Sequence, residues 1–103
     1  MDLAANLSLL IIAFLVPMET TKDWVKGKSF HQFEEEDYSG QDYTFVGDGT
    51  LFKQQDGQKL QGSWSCKGDN VTITMPDETT TWTHVESQLV KQGTNTKLKL
   101  KAH

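Results

Sequence analysis

From residue 42 onwards the side chains of this chain alternate with a period of two, and short turn signals interrupt the alternation. Leu60, Gly62, Trp64 and Cys66 fall on one face, and Gln61, Ser63 and Ser65 on the other. Val71, Ile73 and Met75 oppose Thr72 and Thr74, and Leu98 and Leu100 oppose Lys97, Lys99 and Lys101. Successive side chains of a strand point to opposite faces, so each segment reads as a strand with one dry and one wet side. The interruptions are Asp48-Gly49, Asp56-Gly57, Gly68-Asp69-Asn70, Pro76-Asp77 and Gly93-Thr94-Asn95. Such residues tolerate the backbone of tight hairpins, which join antiparallel strands. Parallel strands need long crossovers, and the spacing leaves no room for them.

The alternation predicts strands over 24–32, 42–46, 50–54, 59–66, 70–75, 79–85, 88–91 and 96–101. The first has a rival: Ser29 followed three residues later by Gln32 is a capping-box pattern, compatible with a short helix over 30–36. Consecutive hairpins give an all-β, up-and-down antiparallel meander of seven to eight strands. An open meander has two unpaired edges, so closure into a barrel is expected. In that barrel Leu60, Trp64, Val71, Ile73, Leu98 and Leu100 face inward with Phe45, Phe52, Met75 and Trp82. Lys97, Lys99 and Lys101 face outward.

Residues 3–18, LAANLSLLIIAFLVPM, carry no charge. The run is short for a membrane span and matches the apolar region of a signal peptide. The expected organisation is therefore an apolar N-terminal segment over 1–18, a signal peptide or anchor, followed by the β domain over 19–103. Export to the periplasm or cell envelope follows from that reading. Met1-Asp2 lacks the usual basic residue and no small-residue cleavage site follows, so a start at Met18, and a cytoplasmic protein, is the alternative.

The net charge is -4, with residues 1–42 rich in acids and residues 79–103 rich in lysine. Every basic residue is a lysine. Arginine supplies the planar fork that grips phosphate and guanine edges, so its absence argues against a nucleic-acid partner. A membrane is implied only through residues 3–18, if they are retained. The single cysteine, Cys66, rules out an internal disulfide and suits a small buried apolar residue.

Three stretches carry a family likeness: Trp24-Val25-Lys26-Gly27-Lys28-Ser29-Phe30, Tyr43-Thr44-Phe45-Val46-Gly47-Asp48-Gly49-Thr50-Leu51, and 61–73, QGSWSCKGDNVTI. Their succession resembles the small bacterial lipocalin-like, or calycin-like, domains. Those open on a Gly/Trp strand and continue through an Asp-Gly hairpin, a Gly-x-Trp strand and a further tight hairpin. The likeness spans residues 22–101 and implies a β-barrel. This chain is shorter than the larger lipocalins and lacks their C-terminal helix, which implies a shallow interior.

Candidate functional residues are few. Trp64 and Trp82, with Phe45 and His84, could line a site for a small, partly apolar ligand near one open end; the plain alternative is core. Trp24 reads as a plug at the barrel bottom. Glu34, Glu35, Glu36 and Asp37 form an acidic run that could contact a protein partner, or simply a solvated loop. His31 and His84 lack metal-ligand spacing, and the acidic run lacks the pattern of a calcium loop, so no metal or cofactor is expected. No nucleophile motif or phosphate-cradling loop occurs. Asn70-Val71-Thr72 fits a glycosylation sequon, but in a tight hairpin. The expectation is a non-enzymatic binding module for a small apolar ligand, with a protein-interaction role, through the acidic run or the lysine stripe, as the alternative.

Overall fold

A computed structural model describes residues 19–101. The apolar segment 1–18 lies outside them. Eight strands follow one short helix: α1 (Thr21–Val25), β1 (Ser29–Glu34), β2 (Asp37–Phe45), β3 (Thr50–Gln55), β4 (Gln58–Lys67), β5 (Asn70–Thr74), β6 (Thr79–Val85), β7 (Gln88–Lys91) and β8 (Thr96–Leu100). Each strand pairs antiparallel with the next, and β1 pairs with β8, from Phe30↔Leu100 to Glu34↔Thr96, closing the barrel. Closure gives every strand two neighbours and leaves no edge.

The interior follows the period of two. Phe30, Phe45, Leu51, Val71, Ile73, Trp82, Leu89 and Leu98 are fully buried, and Trp64 and Met75 nearly so. Phe45 meets Phe30 and Trp64 edge-on at 5.4 and 5.5 Å, a favoured aromatic geometry. Gly62 shares this face because nothing larger fits: a Cβ there would overlap the Thr74 carbonyl oxygen and the Met75 sulfur.

Several expectations are corrected. Residues 21–25 form a helix, not the start of a strand, because Thr20 caps it: its side-chain oxygen accepts the Asp23 amide at 3.1 Å. Residues 30–36 are strand and turn, because β8 and β2 take the backbone bonds of β1 and outweigh the capping pattern. Leu60 and Leu100 are inward in phase yet 38% exposed, since both sit near strand ends that outrun the core. Phe52 faces the outer wall, paired with Thr44, under the Lys59 ammonium at 4.4 Å. Lys99 is exposed as expected, but Lys97 and Lys101 are half-buried, since the stem of a long lysine can pack on the wall while its ammonium stays in water.

The two ends of the barrel differ. Helix α1 seals one end: Val25 is wholly buried, and Trp24 packs edge-on against Phe30 at 5.3 Å. The linker after it is pinned to β2, where the Gly27 amide donates to the Phe45 carbonyl and the Phe45 amide to that of Lys28. At the other end no element among the described residues covers the opening, which is ringed by the β1–β2, β3–β4, β5–β6 and β7–β8 turns. Among the described residues no helix is long and apolar enough to cross a membrane.

Candidate ligand site

The open end holds a cavity of about 310 Å³ with a polar lining. The inward phase explains its residues. On β1, Phe30 is core, Gln32 is next in phase and Glu34 comes last; on β3, Leu51 is followed by Lys53 and Gln55; on β7, Leu89 is followed by Lys91. Each strand thus changes from apolar to polar along one face as it reaches the mouth. Thr80 on β6 and Asp77 and Glu78 in the β5–β6 turn complete the wall.

A bulge aims part of this lining. The β1–β2 ladder runs from His31↔Asp42 to Phe33↔Tyr38, so Ser39, Gly40 and Gln41 together oppose Gln32. Gly40 takes a φ of 85°, a left-handed conformation that glycine adopts without strain. Beside the interrupted ladder the Ser39 hydroxyl donates to the Gln32 carbonyl at 3.0 Å. Gln41 is thereby turned into the cavity, the usual effect of a bulge on a nearby side chain.

Tyr43, Gln32 and Trp82 form the floor. The Tyr43 hydroxyl donates to Gln32 Oε1 at 2.8 Å, and its ring meets Trp82 at 6.0 Å. Trp82 Nε1 donates to the Thr80 hydroxyl at 2.8 Å. Gln32 is only 6% exposed, its Oε1 holds the Tyr43 hydroxyl, and among the described residues no fully buried side-chain nitrogen or oxygen lacks a partner. Burial, with the Glu78 charge adding to it, raises the Tyr43 phenol well above the usual range, so it remains a donor. Lys53 holds its ammonium 5.5 Å from the centre of the Tyr43 ring.

Of the four expected ligand residues, Trp82 alone lines this cavity. Phe45 and Trp64 lie in the core toward the sealed end, where Trp64 Nε1 donates to the Val46 carbonyl at 2.8 Å. His84 sits beneath α1, its ring stacked on Trp24 at 4.0 Å. The Thr21 hydroxyl lies 2.8 Å from both Asp69 Oδ1 and His84 Nδ1, and His84 Nε2 lies 2.6 Å from the Glu86 carbonyl. These bonds tie α1 to the β4–β5 and β6–β7 turns. Trp82 and His84 share a strand face, but they serve opposite ends.

Glu34 lines the mouth, while Glu35 and Glu36 form the tight turn beyond it and Asp37 opens β2. Glu35, Glu36 and Asp37 border an outer hollow of about 530 Å³ with Asn95 and Lys97. That hollow is framed by turn and rim residues and contains no buried polar side chain. On the outer wall, Asp42 receives His31 Nδ1 at 2.7 Å, the Tyr38 hydroxyl at 2.9 Å and Lys101 Nζ at 3.5 Å. Burial disfavours its charge, but these bonds and the nearby positive groups outweigh burial and hold the carboxyl below its ordinary range. Cys66 is half-buried and donates to the Gly68 carbonyl, and burial raises its thiol above the ordinary value. Among the described residues no cluster of His, Cys, Asp and Glu could hold a metal ion.

The pattern reading missed Gln32, Lys53 and Lys91. The signal was present: each continues the inward phase of an apolar neighbour two residues earlier. Compared with known proteins, the chain matches no family model, no curated protein and no solved structure.

Proposed function

We propose that this chain is a non-enzymatic binding module, a small lipocalin-like barrel that takes a small polar molecule at its open mouth. The change from apolar to polar side chains along the inward face, at Gln32, Lys53 and Lys91, carries this reading. Inward positions that could have extended the core instead carry an amide and two ammonium groups facing a hollow open at the mouth. The Gln32 amide and the two ammonium groups would donate to a ligand acceptor there. The cavity volume of about 310 Å³ matches the lower end of small-molecule sites. An apolar ligand fits less well: aromatic and aliphatic side chains fill the interior, and the mouth is lined by amides and charges.

The test is Gln32→Leu. The variant is expected to melt lower than the parent, because the buried Tyr43 hydroxyl loses its acceptor, and to lose small-molecule binding, read by amide chemical shifts around the mouth during titration with a polar metabolite panel. A panel that leaves those amides unmoved in the parent protein refutes the reading. A second reading, protein docking, is favoured by the exposed turn of Glu35, Glu36 and Asp37 projecting beside the mouth. Charge reversal at Glu35 and Glu36 would abolish docking and leave small-molecule binding intact.

A further inference from the structure

Five charged side chains line the mouth, and none takes part in an ion pair among the described residues. Their order around the barrel alternates. Glu34 ends β1, Lys53 lies on β3, Asp77 and Glu78 join β5 to β6, and Lys91 ends β7. The lysines thus stand four strands apart, on opposite walls, and the acids occupy the quarters between them.

Depth separates the two signs. Lys53 and Lys91 are half-buried, whereas Glu34, Asp77 and Glu78 are exposed at the rim. The Gln32 amide lies on the floor with the lysines. The lower cavity therefore offers donors and positive charge, and the rim offers negative charge.

From this arrangement, which rests on the mouth being a ligand site, we propose that the ligand is a small zwitterion. Its anionic group, a carboxylate or a phosphate, enters first and is held by Gln32 Nε2, Lys53 and Lys91. Its ammonium stays at the rim among Glu34, Asp77 and Glu78. Each end gains charge-assisted hydrogen bonds, which are stronger than neutral ones and stronger still away from bulk water. A molecule with one charge would satisfy one layer and place nothing against the other.

The experiment titrates the protein with 4-aminobutanoate, O-phosphoethanolamine, butanoate, butylamine and glucose, following mouth amides by NMR. At least one zwitterion should bind about tenfold or more tighter than butanoate and butylamine. Comparing 4-aminobutanoate with O-phosphoethanolamine identifies the anionic group. Lys53→Gln and Glu78→Gln should each weaken the zwitterion about tenfold, while Glu35→Gln, outside the mouth, leaves it unchanged. If Lys53→Gln does not fold, Lys91→Gln replaces it. Equal binding of the singly charged probes, or binding of glucose alone, overturns the zwitterion and leaves the polar-ligand reading standing. No response from any probe overturns both.

Discussion

Trp82 is the partition between a dry interior and a wet mouth, and Trp82→Ala tests that role directly. The side chain is 1% exposed, so nearly all its surface leaves water on folding. A buried tryptophan removes about 150–250 Å² of surface, and truncating one to alanine costs about 3–5 kcal/mol. In addition, the edge contact with Tyr43 is lost and the Thr80 hydroxyl loses its donor. In a domain of this size such a loss lowers Tm by roughly 12–40 °C. Total stability of such domains is on the order of 5–10 kcal/mol, so the variant should sit near the edge of folding. The deletion also leaves an apolar hollow beneath the mouth. Indole should refill it, raising the Tm of Trp82→Ala while leaving the parent unchanged. The assay is thermal melting by circular dichroism with and without indole. A variant that melts within about 5 °C of the parent, a loss of roughly 1 kcal/mol or less, would show that Trp82 does not seal the interior.

Three further outcomes are expected. Gly62→Ala should destabilise by about 1–3 kcal/mol in urea, because its Cβ would displace the Thr74 carbonyl or Met75; an unchanged midpoint would contradict that close approach. Asp42 has a lowered folded-state pKa, so its contribution is present above the unfolded carboxyl value and is lost as pH falls through the folded one. Asp42→Asn should therefore flatten the acid limb of stability against pH, by less than about 1 kcal/mol because the cluster lies at the surface; an identical acid limb would refute the assignment. Tyr43 has a raised folded-state pKa, so its contribution is full below the unfolded phenol value and disappears as pH rises beyond it. Ultraviolet titration should show Tyr43 forming phenolate only together with alkaline unfolding, and Tyr43→Phe should delay that unfolding; early phenolate formation at Tyr43 would oppose the buried geometry.

Much of the barrel is written in local sequence. The hairpins at Asp56-Gly57 and Gly68-Asp69 and the alternation through Val71 and Ile73 depend on neighbours in the chain, so pattern alone locates them. Two features depend on distant partners instead. Residues 21–25 become a helix because Val25 and Trp24 find the end of a barrel built from residues far along the chain. Phe52 turns outward because the β2–β3 register sets Leu51 inward, and one residue of phase moves a side chain through the wall. The candidate site is hidden for a similar reason. Glutamine and lysine read as surface residues by type, and only the position of Gln32, Lys53 and Lys91 in phase with Phe30, Leu51 and Leu89 reveals that they point inward.

The seam between β1 and β8 bears on how the protein folds. Seven of the eight ladders join strands adjacent in sequence, whereas the seam joins Phe30 to Leu100 and Glu34 to Thr96. Loop-closure entropy opposes such distant pairing, so the seam should form late and limit the folding rate. Until it forms, Glu34 and Lys91 belong to separate ends of an open sheet and the mouth does not exist. A ligand that bridges the mouth binds only the closed form, and mass action then stabilises closure in proportion to ligand concentration. Closure of the chain and any occupancy of the mouth are thereby coupled, although the barrel closes without a ligand.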